Sequence, residues 1–152
     1  MFLRFRERIG LPASEVYGYF KTPADWVRLY GAFGVVEDRG DGWYAVGLRA
    51  FPWPLVAKIT VDDPDRSVRW RFRGFWHGEG AVELLPDGDG VIVSGFERIV
   101  PAGLSFLAPL AERLLLEKRF VAIWQHGFRR LRRQASRTRA QEERGAEREV
   151  RA

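Results

Sequence analysis

The apolar positions are spaced most regularly between Leu104 and Arg133, where the pattern predicts one long amphipathic helix. Steps of three and four residues separate them, with one gap of seven at Glu117. A helix of about 30 residues would be ~45 Å long, at ~1.5 Å per residue, and would span a small domain. The apolar positions of this stripe are Leu107, Leu110, Leu114, Val121, Trp124, Phe128 and Leu131.

Before this helix, short runs of alternating apolar and polar residues predict β-strands. Two short helices, with Ser14 and Thr22 as candidate N-caps, are predicted between the first strand and the second. Glycine, proline and aspartate separate the later runs, as is typical of tight turns. The predicted strands cover residues 2–9, 33–39, 42–51, 55–62, 67–73, 76–85 and 90–100.

One face of the predicted sheet is apolar and the other is basic, as the strand at 67–73 shows most clearly. Its valine, tryptophan and phenylalanine at positions 68, 70 and 72 alternate with three arginines. The apolar face needs a cover, and the long helix is the only predicted element large enough. We therefore expect an α+β fold in the order β-α-α-β6-α, with a curved antiparallel sheet of about seven strands around the C-terminal helix.

Composition favours one globular domain and excludes several kinds of chemistry. The chain has 152 residues, is 46% hydrophobic and contains no cysteine, which rules out disulfides, thiolate nucleophiles and cysteine-bound metals. Its two histidines, His77 and His126, lack zinc-site spacing, and no phosphate-binding loop is present. We expect no metal and no cofactor. No apolar stretch is long enough for a signal peptide or a membrane span, so a cytoplasmic protein is predicted.

The net charge of +5 comes from residues 129–152, which hold nine arginines and four glutamates. The remainder is neutral, so we predict a folded domain over residues 1–134 and a charged tail over residues 135–152. The tail either extends the helix or is disordered. It has no aromatic residue to stack on bases, so a nucleic-acid partner is not favoured.

Three segments resemble the START-like superfamily, also called SRPBCC, which includes birch-pollen-allergen-like proteins and the polyketide cyclase/dehydrase group. Residues 11–20 read LPASEVYGYF, residues 22–26 read TPADW, and residues 83–91 read ELLPDGDGV. The resemblance covers residues 1–134 and implies a helix-grip fold. It also implies a deep pocket between sheet and helix for an apolar or amphipathic small molecule. It carries no catalytic signature, so the catalytic residues are unknown.

Charged residues on apolar faces are the candidate polar groups of such a pocket. Glu7 and Glu97 lie on inward strand faces, and the first and last strands are neighbours in this fold. Arg113 and Glu117 are spaced i, i+4 on the helix. The alternatives are strand irregularities that expose each glutamate, and helix turns that extend beyond the sheet. The complete set of predicted ligand-binding residues is Glu7, Trp70, Phe72, Glu97, Arg113, Glu117, Phe120 and Trp124.

Three functions compete. The first is binding of a lipid, isoprenoid, polyketide or aromatic molecule in an apolar cavity. The second is a polyketide cyclase or dehydratase that uses cavity carboxylates to move a proton. The third is association with RNA or the ribosome through the arginine-rich tail. Trp53, at an expected hairpin tip, is a candidate lid, homodimer contact or peripheral membrane contact, or packs back over the cavity mouth.

Overall fold

A seven-stranded antiparallel sheet and one long helix make up most of the protein. The computed structural model describes residues 1–31, 33–48, 53–102 and 110–150. Residues 49–51 of the third predicted strand and residues 104–109 of the predicted helix lie outside this part. The elements are β1 Phe2–Ile9, α1 Ala13–Tyr17, α2 Trp26–Tyr30, β2 Phe33–Asp38, β3 Trp43–Leu48, β4 Leu55–Asp63, β5 Ser67–Arg73, β6 Trp76–Asp87, β7 Gly90–Pro101 and α3 Leu110–Val150.

The strands follow one another as a meander, with one exception. The order across the sheet is β1-β7-β6-β5-β4-β3-β2, so the first strand pairs with the last. Along β5, buried and exposed residues alternate as the sequence predicts, because successive side chains of a strand point to opposite faces. The predicted α+β fold, with seven strands and a long C-terminal helix, is confirmed.

The two short helices begin differently from each other. The prediction of Ser14 as an N-cap is wrong, because α1 begins at Ala13 and Pro12 stands at the cap without a side-chain hydrogen bond. Thr22 does accept a hydrogen bond from the Asp25 backbone N–H (3.3 Å), and Asp25 Oδ2 accepts one from the Thr22 N–H (3.1 Å). These two hydrogen bonds close the turn over residues 22–25 ahead of α2, whose N-cap is Asp25, so the prediction of Thr22 as the N-cap is also wrong.

Helix α3 packs on the sheet and on α2 through residues at spacings of three and four. Phe120, Trp124, Phe128 and Leu131 are buried, whereas Val121, which was predicted in the same stripe, is half-buried. Gly127 faces α2, where a Cβ would lie 2.9 Å from Tyr30 Cδ1. The absence of a side chain at this position therefore allows the two helices to approach closely.

The C-terminal part of α3 continues past the sheet as an exposed helix. Residues 141–148 are all exposed, and the Arg139 guanidinium makes a 3.0 Å ion pair with Asp89 near the point where α3 leaves the body. Of the two alternatives for the charged tail, the structure shows the helical extension as far as Val150. The described residues contain no helix with the length and apolar character needed to cross a membrane.

Candidate functional site

The candidate site is organised by one row of residues across three neighbouring strands. Trp70 on β5 pairs with Gly80 on β6, and Gly80 pairs in turn with Glu97 on β7. A Cβ on Gly80 would lie 2.5 Å from Trp70 Nε1, so the indole ring covers this glycine. The missing side chain at position 80 therefore lets the Trp70 ring lie flat on the sheet beside Glu97.

Aromatic rings from the helices close the space above this row. The centroid of the Trp26 ring lies 5.3 Å from that of Trp70, and Tyr30 and Trp124 are also 5.3 Å apart. The rings leave a cavity of about 20 Å³, which is room for about one water molecule. Its walls are Trp26, Tyr30, Leu55, Trp70, Glu97, Phe120, Ile123 and Trp124.

Glu97 is the buried carboxyl group of this cavity, with 5% of its surface exposed. The Trp124 indole Nε1–H donates a hydrogen bond to Glu97 Oε2. Burial raises the pKa of Glu97 from 4.5 to about 7, because the apolar surroundings disfavour the charged form, and the Trp124 hydrogen bond opposes this rise in part. At neutral pH both the protonated and the ionised form are therefore populated.

Two indole N–H groups of the wall residues have no hydrogen-bond partner within the described part of the chain. The indole N–H groups of Trp26 and Trp70 are buried and make no hydrogen bond among the described residues. A buried donor without an acceptor costs about 1–3 kcal/mol, and each exception calls for an explanation in terms of function, strain or an additional ligand. Two of the indole rings in the cavity walls therefore hold a buried N–H group without an acceptor among the described residues.

Glu7, the second inward carboxylate, lies away from this cavity. It is on the same face of β1 as Phe5 and Ile9, and it pairs with Val93 in the sheet, whereas Glu97 pairs with Leu3. The structure thus separates the two glutamates by four positions along the strands. Arg132 on α3 contacts the Glu7 carboxylate at 2.7 Å, and 39% of the glutamate side chain is exposed.

The remaining predicted site residues are distributed around the cavity. Trp70, Phe120 and Trp124 line it with Glu97, while Phe72 is buried behind Trp26, with ring centroids 6.2 Å apart. Glu117 is half-buried and borders a surface depression near Lys118 and Gln125. The side chain of Arg113 lies outside the described residues. Ligand binding by these eight residues stays a prediction.

Glu117 on α3 shows that helical spacing alone does not identify which helix residues contact the cavity. Glu117 and Trp124 are seven residues apart and so lie on nearly the same side of α3, as the sequence indicates. They are also ~10 Å apart along the helix axis, at ~1.5 Å per residue. Only Trp124 lies above the row formed by Trp70, Gly80 and Glu97. Position along the axis therefore decides which of the two helix residues contacts the cavity.

Five contributors to the cavity were absent from the predicted site: Trp26, Tyr30, Leu55 and Ile123 in its walls, and Gly80 under the Trp70 ring. Trp26 and Tyr30 lie between the first and second predicted strands, where the two short helices are expected, and nothing in the pattern links either residue to a carboxyl group. Gly80 lies inside the predicted strand over residues 76–85. Knowledge of the strand register, which brings Gly80 between Trp70 and Glu97, would have identified it.

Trp53 packs back onto the sheet. Its ring stacks on Phe75 with the centroids 3.9 Å apart, and its backbone carbonyl accepts a 3.3 Å hydrogen bond from Trp76 Nε1. The ring is still 47% exposed, so one of its faces remains open to solvent. No three His, Asp or Glu side chains cluster in the way a metal ion requires, in the part of the chain that the structure describes.

Comparison with known proteins places this arrangement in a family. A family model described as polyketide cyclase/dehydrase and lipid transport matches residues 4–136. No curated protein sequence matches the chain.

Solved structures share the fold at low sequence identity. The Zhui aromatase/cyclase from Streptomyces sp. R1128 is 15% identical, with a TM-score of 0.68 over 90% of this chain and 94% of the other. The protein TTHA0849 from Thermus thermophilus is 17% identical, with a TM-score of 0.68 over 91% and 99%. A conserved protein from Geobacillus kaustophilus is 13% identical, with a TM-score of 0.68 over 91% and 97%.

At these identities the structural likeness establishes the fold alone, whereas the family match covers most of the sequence. Together with the helix-grip architecture, that match shows that the chain belongs to the polyketide cyclase/dehydrase and lipid transport family of the START-like superfamily.

Proposed function

We propose that the protein binds a small apolar or amphipathic molecule between the sheet and α3. The observation that carries this proposal is the aromatic-walled cavity, which a single buried carboxyl group, that of Glu97, also lines. Ligand sites are mostly apolar, with a few polar groups that fix the orientation of the ligand. Family membership supports the same conclusion, because the family description includes lipid transport.

The size of the cavity sets a condition on this function. About 20 Å³ is far below the roughly 300–1,000 Å³ of a pocket that encloses a drug-sized molecule. The cavity as it stands admits only the tip of a ligand, so a larger molecule has to displace wall residues. Ile123 is half-buried at the cavity wall, and it is the wall residue of α3 that solvent already reaches.

A titration with a fluorescent apolar probe tests the proposal. We expect Ile123→Phe, which adds bulk at the cavity, to weaken probe binding by about tenfold or more. The matched control is Ala122→Phe, because position 122 is exposed on the neighbouring face of the same helix. Equal affinities for the wild type and both variants would contradict binding in this cavity. Mass spectrometry of a denatured extract of the purified protein would identify a ligand acquired in the cell.

The carboxyl group favours one alternative function, an enzyme of the cyclase or dehydratase type. A group whose pKa is about 7 can both donate and accept a proton at neutral pH, as general acid–base catalysis requires. In that case Glu97→Gln should still bind the ligand but should no longer convert it. Incubation of both proteins with a poly-ketone substrate, followed by mass spectrometry for the product that has lost one water, distinguishes the enzyme from a binding protein.

A further inference from the structure

We propose that the side of α3 facing away from the sheet carries a second site, which binds a compact anion with two or more phosphate groups. The site is a surface depression of about 420 Å³ between α3 and the segment that joins α1 to α2. It shares no lining residue with the cavity beside Glu97, so this inference does not depend on the proposed function. The residues of this basic depression are Tyr19, His126, Arg129, Arg130, Arg133, Gln134 and Arg137.

Arginines on the two sides of α3 differ in their partners. On the side towards the sheet, Arg132 contacts Glu7 at 2.7 Å and Arg139 contacts Asp89 at 3.0 Å. The four arginines of the basic depression are exposed, and none of them makes an ion pair with an acidic side chain in the described part of the chain. The positive charge of the depression is therefore left for an external anion.

The spacing of these arginines concentrates like charge on one helix face. Arg129, Arg133 and Arg137 follow one another at intervals of four residues, so they lie on one side of α3, about 6 Å apart along its axis. This separation is shorter than the ~8 Å over which physiological salt screens charges. Like charges at this spacing destabilise a helix slightly, and a bound anion would offset their repulsion.

The wall opposite α3 gives the depression its concave shape. Tyr19 forms part of this wall. A Cβ on Gly31 would lie 3.6 Å from His126 Nε2 and 3.7 Å from a guanidinium nitrogen of Arg130, so both side chains reach the turn that follows α2. Guanidinium groups hold phosphate oxygens through paired N–H donors, and several of them around one concave surface suit an anion with several phosphates.

The charge of α3 changes sign beyond the depression, which favours a compact ligand over an extended one. Residues 126–137 contain five arginines and no acidic residue, whereas residues 141–149 contain four glutamates and two arginines, a net charge of −2. An RNA strand or an anionic bilayer that extended along α3 would be repelled by this acidic part. A compact oligophosphate would contact the basic part alone.

Calorimetric titration of the full chain with tripolyphosphate tests the proposal. We expect one-to-one binding that weakens with added NaCl, because salt screens exposed charges. Arg129→Gln/Arg133→Gln should weaken binding by about tenfold or more, as expected for the loss of two exposed charge contacts. The matched control is Arg144→Gln/Arg148→Gln, which removes the same charge from exposed positions of the same helix. It should change the affinity by less than about twofold, since Arg144 lies ~10 Å beyond Arg137 along the axis.

Melting temperatures show whether the arginines support the fold instead. Without ligand, Arg129→Gln/Arg133→Gln should melt at the wild-type temperature or slightly above it, because the substitutions remove like charges from one helix face. Tripolyphosphate should raise the melting temperature of the wild type and raise that of this variant less. A variant that melts well below the wild type, together with no effect of tripolyphosphate on the wild type, would overturn the site.

Three further anions test the ligand class: citrate, single-stranded RNA and vesicles that contain phosphatidic acid. Citrate should bind more weakly than tripolyphosphate, because its carboxylates carry less charge in total, and equal affinities would overturn the choice of phosphate. RNA or vesicles that bind through Arg129 and Arg133 while tripolyphosphate does not bind would overturn the compact ligand. Equal weakening of tripolyphosphate binding by both double variants would show attraction to the net charge alone and would also overturn the site.

Discussion

Glu97 and Glu7 occupy comparable positions in the fold and have opposite environments. Both point from neighbouring strands towards α3, and each is contacted by one side chain of that helix. The partner of Glu97 is Trp124, and the partner of Glu7 is Arg132, eight residues later and ~12 Å further along the helix axis. Glu97 is 5% exposed, whereas the Glu7 side chain is 39% exposed.

The comparison shows that the side chains packed over an inward carboxylate, and not the strand face on which it lies, determine how well it is shielded from water. Around Glu97 the cover consists of aromatic rings, which exclude water and disfavour a charge. Over Glu7 lies the half-exposed guanidinium of Arg132, and further exposed ion pairs at this end of the sheet join Arg8 to Asp87 and Asp89, and Asp89 to Arg139. Such exposed pairs are typically worth about 0–1 kcal/mol each, because water screens them.

The largest expected effect on stability comes from removing Trp124, which packs over Glu97. Trp124→Ala removes a large core side chain and the hydrogen-bond donor of a buried carboxyl group, so the free energy of unfolding should fall by about 3–5 kcal/mol. Trp53→Ala is the control: that ring is half exposed and makes one stacking contact, which predicts about 1 kcal/mol. Urea titrations measure both. Similar losses for the two variants would contradict a core role for Trp124.

The second prediction concerns the pH dependence of stability that the buried Glu97 carboxyl group causes. Because the pKa of Glu97 is about 7 in the folded state and near 4.5 when unfolded, its stabilising contribution is complete below about pH 4.5 and is lost as pH rises to about 7. The loss is about 3 kcal/mol, since each pKa unit is worth ~1.4 kcal/mol. Glu97→Gln removes this ionisation, so the variant should gain stability relative to the wild type between pH 5 and 8.

The difference between the two urea unfolding curves, taken at each pH, isolates Glu97 from the other titrating groups. A constant difference between Glu97→Gln and the wild type over the whole pH range would show that Glu97 titrates normally and is in contact with water.

The smallest expected effect concerns the exposed pair. The coupling energy between Glu7 and Arg132, measured by a double-mutant cycle with Glu7→Gln and Arg132→Gln, should be at most about 1 kcal/mol and should decrease with added salt. A coupling energy above about 3 kcal/mol that is independent of salt would mean that Glu7 is as well shielded from water as Glu97.

Much of the architecture followed from local patterns. Alternation along β5, the turn residues between strands and the spacing of Phe120, Trp124, Phe128 and Leu131 determined the elements and their order, because the periods of strands and helices are short-range properties of the chain. The same patterns identified Glu7 and Glu97 as inward carboxylates. The patterns could not show which of the two is the more deeply buried, since both share a strand face with apolar neighbours in the sequence.

Only the tertiary structure decided which carboxylate became the candidate site. The strand register that aligns Trp70, Gly80 and Glu97 brings together residues that are 10 to 27 positions apart in the sequence. The position of α3 along the sheet then puts Trp124 above that row and Arg132 beside Glu7. The pKa of a carboxyl group and the partners of an indole N–H depend on every atom within a few ångströms. Those atoms come from distant parts of the chain, so their arrangement appears only when the sheet and the helix are assembled.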